Sequence, residues 1–145
     1  MPVTFDHSTF ISNTADDDGG AVHAEYSSVV IASSTFINNA AADLYHDFGT
    51  GGAVNTESSN LTIEKSTFIK KNIPNSVGGT VFAWDNTATI YNSKFIKNTA
   101  AVNGGAVGAW SSTVTVDNSN YIANTADFGG ALYKYTEIRN LAEDV

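Results

Sequence analysis

Cysteine is absent from the 145 residues. That excludes a disulfide framework, a thiolate zinc site and a cysteine nucleophile. It leaves the compartment open, because a secreted chain with a good core needs no disulfides. Proline is scarce, with only Pro2 and Pro74. Basic residues are few, seven Lys and Arg against fifteen Asp and Glu, for a net charge of -8. Affinity for DNA or RNA comes from neutralising phosphates, so no nucleic-acid partner is expected. The same balance disfavours an anionic membrane surface. No apolar run approaches the ~18 residues of a membrane helix, so no direct membrane span is expected. No signal peptide precedes the first repeat-like residues. The chain therefore reads as a piece of something longer.

What is abundant is Asn, Ser, Thr and Ala, together with twelve glycines. A helical bundle would be rich in Glu, Lys and Leu. This composition instead suits short strands joined by polar turns.

Two elements alternate along the chain. The first is Phe-Ile-x-Asn: Phe10 to Asn13, Phe36 to Asn39 and Phe95 to Asn98, with Tyr121 to Asn124 as an aromatic variant. Phe68-Ile69-Lys70-Lys71-Asn72 carries one extra residue. The second is a glycine pair followed by two small or aliphatic residues, beginning at Gly19, Gly51, Gly78, Gly104 and Gly129. From each of the first four glycines to the next aromatic is always 17 residues. From the aromatic to the next glycine the count varies: 9, 15, 10, 9 and 8. A rigid segment and a variable loop define a solenoid whose insertions fall on one side.

The unit is thus about 26 residues, and within its rigid part apolar residues alternate. The pairs are Val29 and Ile31, Leu61 and Ile63, Ala88 and Ile90, Val114 and Val116. Ser8, Ser34, Ser66, Ser93 and Ser119 each stand two residues before an aromatic. Three short strands per unit follow, exemplified by Val22 to Glu25, Val29 to Ala32 and Ser34 to Ile37. Such strands cannot bury a face alone, so each coil must stack on the next at about 4.8 Å. The expected architecture is an all-β, right-handed parallel β-helix of about five coils over residues 1–135. Residues 136–145 leave the pattern and read as a cap or linker. Asn13, Asn39, Asn98 and Asn124 should form a ladder at a turn, interrupted where Lys71 is inserted. The Ile after each Phe breaks a strict inward alternation and suggests a bend or bulge there.

These Gly-Gly-Ala-Val and Phe-Ile-x-Asn elements resemble the repeats of the chlamydial polymorphic outer-membrane proteins and of similar microbial adhesin-like proteins. The resemblance runs from Phe5 to Tyr135, with Thr80 in place of Ala and Tyr121 in place of Phe as departures. It implies a β-helix passenger at a cell surface or in the extracellular space, often adhesive, working among other domains or subunits of a surface assembly.

Four candidate sites emerge. Alternate residues of the first strand should face outward, which gives an aromatic face of Phe82, Trp84, Trp110, Tyr133 and Tyr135. Such a patch suits a protein or a glycan, while structural cover is the bland alternative. No cofactor is required. Ca²⁺ is a candidate at Asp16, Asp18, Asp43 and Asp47, although the spacing matches no calcium loop and a solvated acidic loop would look the same. Asn60-Leu61-Thr62 is a glycosylation triplet, meaningful only in a eukaryotic secreted protein. Catalysis of the polysaccharide lyase or hydrolase type would need Glu25, Glu57 and Asp85 with a nearby base. No Lys or Arg stands among those positions, so a non-catalytic role is expected. His7, His23 and His46 read as surface residues.

Overall fold

The computed structural model describes residues 1–41, 49–70, 72–73 and 78–136. Every regular element among them is a strand and every strand pair is parallel. Three five-stranded sheets carry the fold. The first, here the glycine sheet, is built from Val22–Glu25, Val54–Glu57, Val81–Trp84, Val107–Trp110 and Leu132–Tyr135. The aliphatic sheet holds Val3–Asp6, Ser28–Ala32, Asn60–Glu64, Thr87–Tyr91 and Thr113–Asp117. The aromatic sheet holds Thr9–Ile11, Thr35–Ile37, Thr67–Ile69, Lys94–Ile96 and Asn120–Ile122. Each strand pairs with its counterpart one unit away, so the chain is a parallel β-helix of about five coils. A fourth strand of two residues, such as Ala40–Ala41 or Thr99–Ala100, follows the aromatic strand and was not evident from the alternation.

The core is a set of columns. Phe36, Phe68 and Phe95 are fully buried. Successive rings from Phe10 through Phe36, Phe68 and Phe95 to Tyr121 stack at 4.6, 4.6, 4.8 and 5.1 Å with nearly parallel planes. Beside them run Ile31, Ile63 and Ile90, and Val54, Val81 and Val107, all buried. Toward the outer coils the columns open: Val3, Val116 and Leu132 are exposed.

The isoleucine after each Phe does not mark a bulge. Ile37, Ile69 and Ile96 remain in register with their neighbours and are half-buried on the outer side. The bend comes one residue later, where Ser12, Asn38, Lys70, Lys97 and Ala123 all have φ between 53° and 55°. Equivalent left-handed residues turn the other two corners, including Tyr26, Ser58, Asp85 and Ser111 after the glycine strands. Non-glycine residues rarely adopt this region, so hydrogen bonds from neighbouring coils must hold each corner.

Those bonds are side-chain ladders. The amide of Ser8 donates to Oγ of Ser34, Ser34 to Ser66, Ser66 to Ser93 and Ser93 to Ser119, at 3.1–3.2 Å. The asparagine ladder is present too. Asn13 N and Nδ2 donate to Asn39 Oδ1 at 3.0 and 2.8 Å, and Asn98 N and Nδ2 to Asn124 Oδ1 at 3.0 Å. Asn72 pairs with Thr99, one step past the ladder position, so the insertion shifts the register as expected. Lys71 itself lies outside the described residues. A third ladder supports the corner after the glycine sheet. The amide of Ser27 donates to Ser59 Oγ at 3.1 Å, Ser59 to Asn86 Oδ1 at 2.6 Å and Asn86 to Ser112 Oγ at 3.0 Å.

The glycine pairs answer two needs at once. Gly104 has φ 59°, and a Cβ on Gly105 would fall 2.3 Å from the Gly130 carbonyl oxygen and 2.4 Å from that of Thr125. The backbones of adjacent coils approach too closely there for any side chain.

Candidate functional site

The outer surface of the glycine sheet carries the aromatic residues. Val81, Ala83, Val107 and Ala109 of two adjacent strands are buried on the core side. Their neighbours Phe82, Trp84, Gly108 and Trp110 therefore face out. In-register pairing places Trp84 beside Trp110, and Trp110 beside Tyr135. The two indoles stack at 5.8 Å and 19°, and Tyr135 meets Trp110 edge-on at 5.2 Å and 74°. All three remain substantially open to solvent: Trp84 at 45%, Trp110 at 38% and Tyr135 at 44%. They form one apolar rib along the solenoid, ending in a hydroxyl.

Two of the five expected members behave differently. Phe82 is on the outer side but only 3% exposed, so it is not part of an exposed patch. Its ring occupies the notch left by two glycines. A Cβ on Gly108 would lie 3.0 Å from Phe82 Cδ2, and one on Gly78 only 2.2 Å from it. Tyr133 is half-buried and lines a shallow hollow of about 290 Å³ with Asn103, Trp110 and Tyr135. The tryptophans also cover each other in part, so they are not two separate open platforms.

The rib has a different hollow on either side. Toward the corner, a polar trough of about 560 Å³ runs past Ser27, Ser58, Asn60, Asp85, Asn86 and Ser111. A second hollow of about 520 Å³ continues it past Trp84, Ser112, Thr113 and Lys134. Lys134 takes the register position of Ala83 and Ala109. It is exposed and lines the same hollow as Asp85 without joining the outward positions of Glu25 and Glu57. Asn60 is exposed in the wall of the trough.

On the other side lies a smaller, more apolar cleft of about 270 Å³, lined by Asp18, Thr50, Asn55, Glu57, Phe82, Trp84 and Trp110. Its acidic wall is fixed by one clasp between loops. Asp18 Oδ1 accepts from Thr50 N at 2.9 Å and from Thr50 Oγ1 at 2.6 Å. Its floor is Asn55, nearly fully buried. Asn55 Nδ2 lies 3.2 Å from His23 Nδ1, and His23 Nε2 lies 3.0 Å from Glu25 Oε1. With Nε2–H donating to Glu25, Nδ1 is the acceptor and the amide must turn its nitrogen to His23. Asn55 Oδ1 is left buried and without a hydrogen-bond partner.

The remaining expectations divide plainly. Asp16 and Asp18 are described, whereas Asp43, His46 and Asp47 lie outside the described residues. Among the described residues no three His, Asp or Glu side chains gather as a metal site would require. Glu25 and Glu57 are register neighbours on the glycine sheet. His7 is exposed beside Asp6.

The Ser27–Ser59–Asn86–Ser112 ladder was missed, although its signal is in the chain. Each member stands eight residues after the first glycine of its pair. Asn86 among three serines hides the pattern.

These columns and turns define a repeat solenoid of the parallel β-helix type. Comparison with known families adds one match: a model of the Chlamydia polymorphic membrane protein repeat fits residues 7–25. That stretch spans one round, from the Phe10 element to the Gly19 pair and the strand after it. The proteins bearing this repeat are surface and outer-membrane proteins of the adhesin type, and the chain is similar to them over those residues. No curated protein matches the chain, and no solved structure does.

Proposed function

We propose that the chain is a non-catalytic, cell-surface β-helix segment of adhesin type that binds a protein partner through the Trp84–Trp110–Tyr135 rib. One observation carries this reading. Three large aromatics that alternation does not need for the core stand half-exposed in a single row. Tryptophan and tyrosine are the residues that most often anchor protein interfaces, set in a polar rim. The trough supplies such a rim with hydroxyls, amides and one carboxylate. The same trough favours a second reading, in which a glycan hydrogen-bonds along the corner and leans on Trp84.

Beads coated with the chain should adhere to cultured cells, and the double variant Trp84→Ala, Trp110→Ala should lose that adhesion while keeping its β-sheet circular dichroism. Adhesion abolished by protease treatment of the cells supports the protein reading. Loss on glycosidase treatment alone favours the glycan. Full adhesion by the folded double variant overturns both, and collapse of its fold would make the rings structural.

A further inference from the structure

We infer that the cleft beside the rib receives an arginine side chain of the partner, stacked on the open face of Trp84 with its guanidinium fork on Glu57. The inference rests on the protein-binding reading and names the chemistry of the contact.

The geometry follows from register. Trp84 stands between Trp110 on one neighbouring strand and Glu57 on the other. Trp110 stacks on one face of the Trp84 indole. The opposite face is turned to the coil of Glu57, and Trp84 stays 45% exposed. A planar group lying there has an aromatic face on one side and a carboxylate at its edge. Arginine alone among the side chains combines a flat cation, a preference for stacking on indole and a bidentate fit to carboxylate.

The rest of the cleft selects the same charge. Asp18 is clamped by Thr50 so that its carboxylate cannot swing away. Asn55 forms part of the floor, its side-chain oxygen buried and without a hydrogen-bond partner. Phe82, lodged over Gly108, supplies an apolar surface for the methylene stem. Among the described residues no Lys or Arg lines this cleft, and the chain as a whole carries a net charge of -8. A cationic visitor is therefore steered toward it as well as held in it.

Both tryptophans of the protein border the cleft, so intrinsic fluorescence reads its occupancy. The probe is a blocked Gly-Arg-Gly peptide titrated into the full chain, with blocked Gly-citrulline-Gly as the neutral isostere. The expected result is a saturable change with the arginine peptide, with a dissociation constant on the order of millimolar for one such anchor. Citrulline should give none, and Glu57→Gln should weaken arginine binding about tenfold with an unaltered circular dichroism spectrum. Equal responses to arginine and citrulline, or no effect of Glu57→Gln, overturn the inference. If cell adhesion persists in the wild type but survives Glu57→Gln untouched, the arginine contact fails and the protein-binding rib stands. If adhesion also survives the double tryptophan variant, the rib itself fails.

Discussion

Phe95 lies between Phe68 and Tyr121, touching a ring above and a ring below. Phe95→Ala would leave a cavity that two flanking aromatic rings cannot collapse to fill. It should cost about 3–5 kcal/mol in denaturant unfolding, and a loss under about 1 kcal/mol would show that the column is not structural. Asn86 serves the backbone differently. Its Oδ1 accepts from Ser59 N, and its Nδ2 donates to the Thr56 carbonyl at 3.0 Å and to Thr56 Oγ1 at 2.6 Å. Asn86→Ala strands a buried amide and should cost about 1–3 kcal/mol. Asn86→Ser restores the residue found at the three equivalent corners and should recover much of that loss. Burial has pushed the Tyr121 phenol up to about 12 from an ordinary 10.0, and its hydroxyl has no partner. The folded state therefore favours the neutral ring. That contribution is complete below about pH 10 and is lost as pH rises toward 12. Thermal melts across this range should fall less steeply for Tyr121→Phe, which also restores the repeat's usual Phe. An identical decline in the two proteins would place the phenol in water.

At the scale of the strand and its corner, register decides everything. A glycine inserted between Thr89 and Ile90 would turn Ile90 outward and shift every following pair. A Gly-Ser insertion after Ala101, in the loop whose length already varies, should cost less than about 1 kcal/mol, because loop closure depends weakly on length. Urea titrations should show a lost or broadened transition for the first and a near-native one for the second. The contrast explains what was legible beforehand. The Phe columns, the strands and the recurring Ser positions were readable because the 17-residue spacing fixes them, and the Asn ladder because Asn follows the aromatic by three residues in every coil but the third. The exposure of Phe82 was not. Alternation states which side a residue faces, whereas the burial of Phe82 depends on Gly108 in the next coil and Gly78 in the adjoining loop. The bend after Ile37 was misplaced by one residue for a related reason. A left-handed corner can be taken by Ser, Asn, Lys or Ala, so it leaves no single-residue signature. The cleft was invisible because Asp18, Asn55 and Trp84 come from three different coils.

Across the whole molecule, each coil touches mainly its neighbours, so stability should be graded rather than uniform. Inner columns are closed at Val54, Val81 and Val107 but open at Val3 and Leu132. Hydrogen exchange should therefore be slowest in Val54–Glu57, Val81–Trp84 and Lys94–Ile96, and fastest in Val3–Asp6 and Leu132–Tyr135. Uniform protection along the chain would contradict a nearest-neighbour solenoid.

The rib also gives the protein a modular way to change. A coil that supplies one rung of Trp84, Trp110 and Tyr135 is a single block of sequence, such as the 26 residues that begin at Gly78 and stop before Gly104. Copying that block in tandem would lengthen the row by one tryptophan and about 4.8 Å without disturbing the pairings on either side. Reach and valency in such a protein can thus grow by duplication, one step at a time, with no new fold to invent.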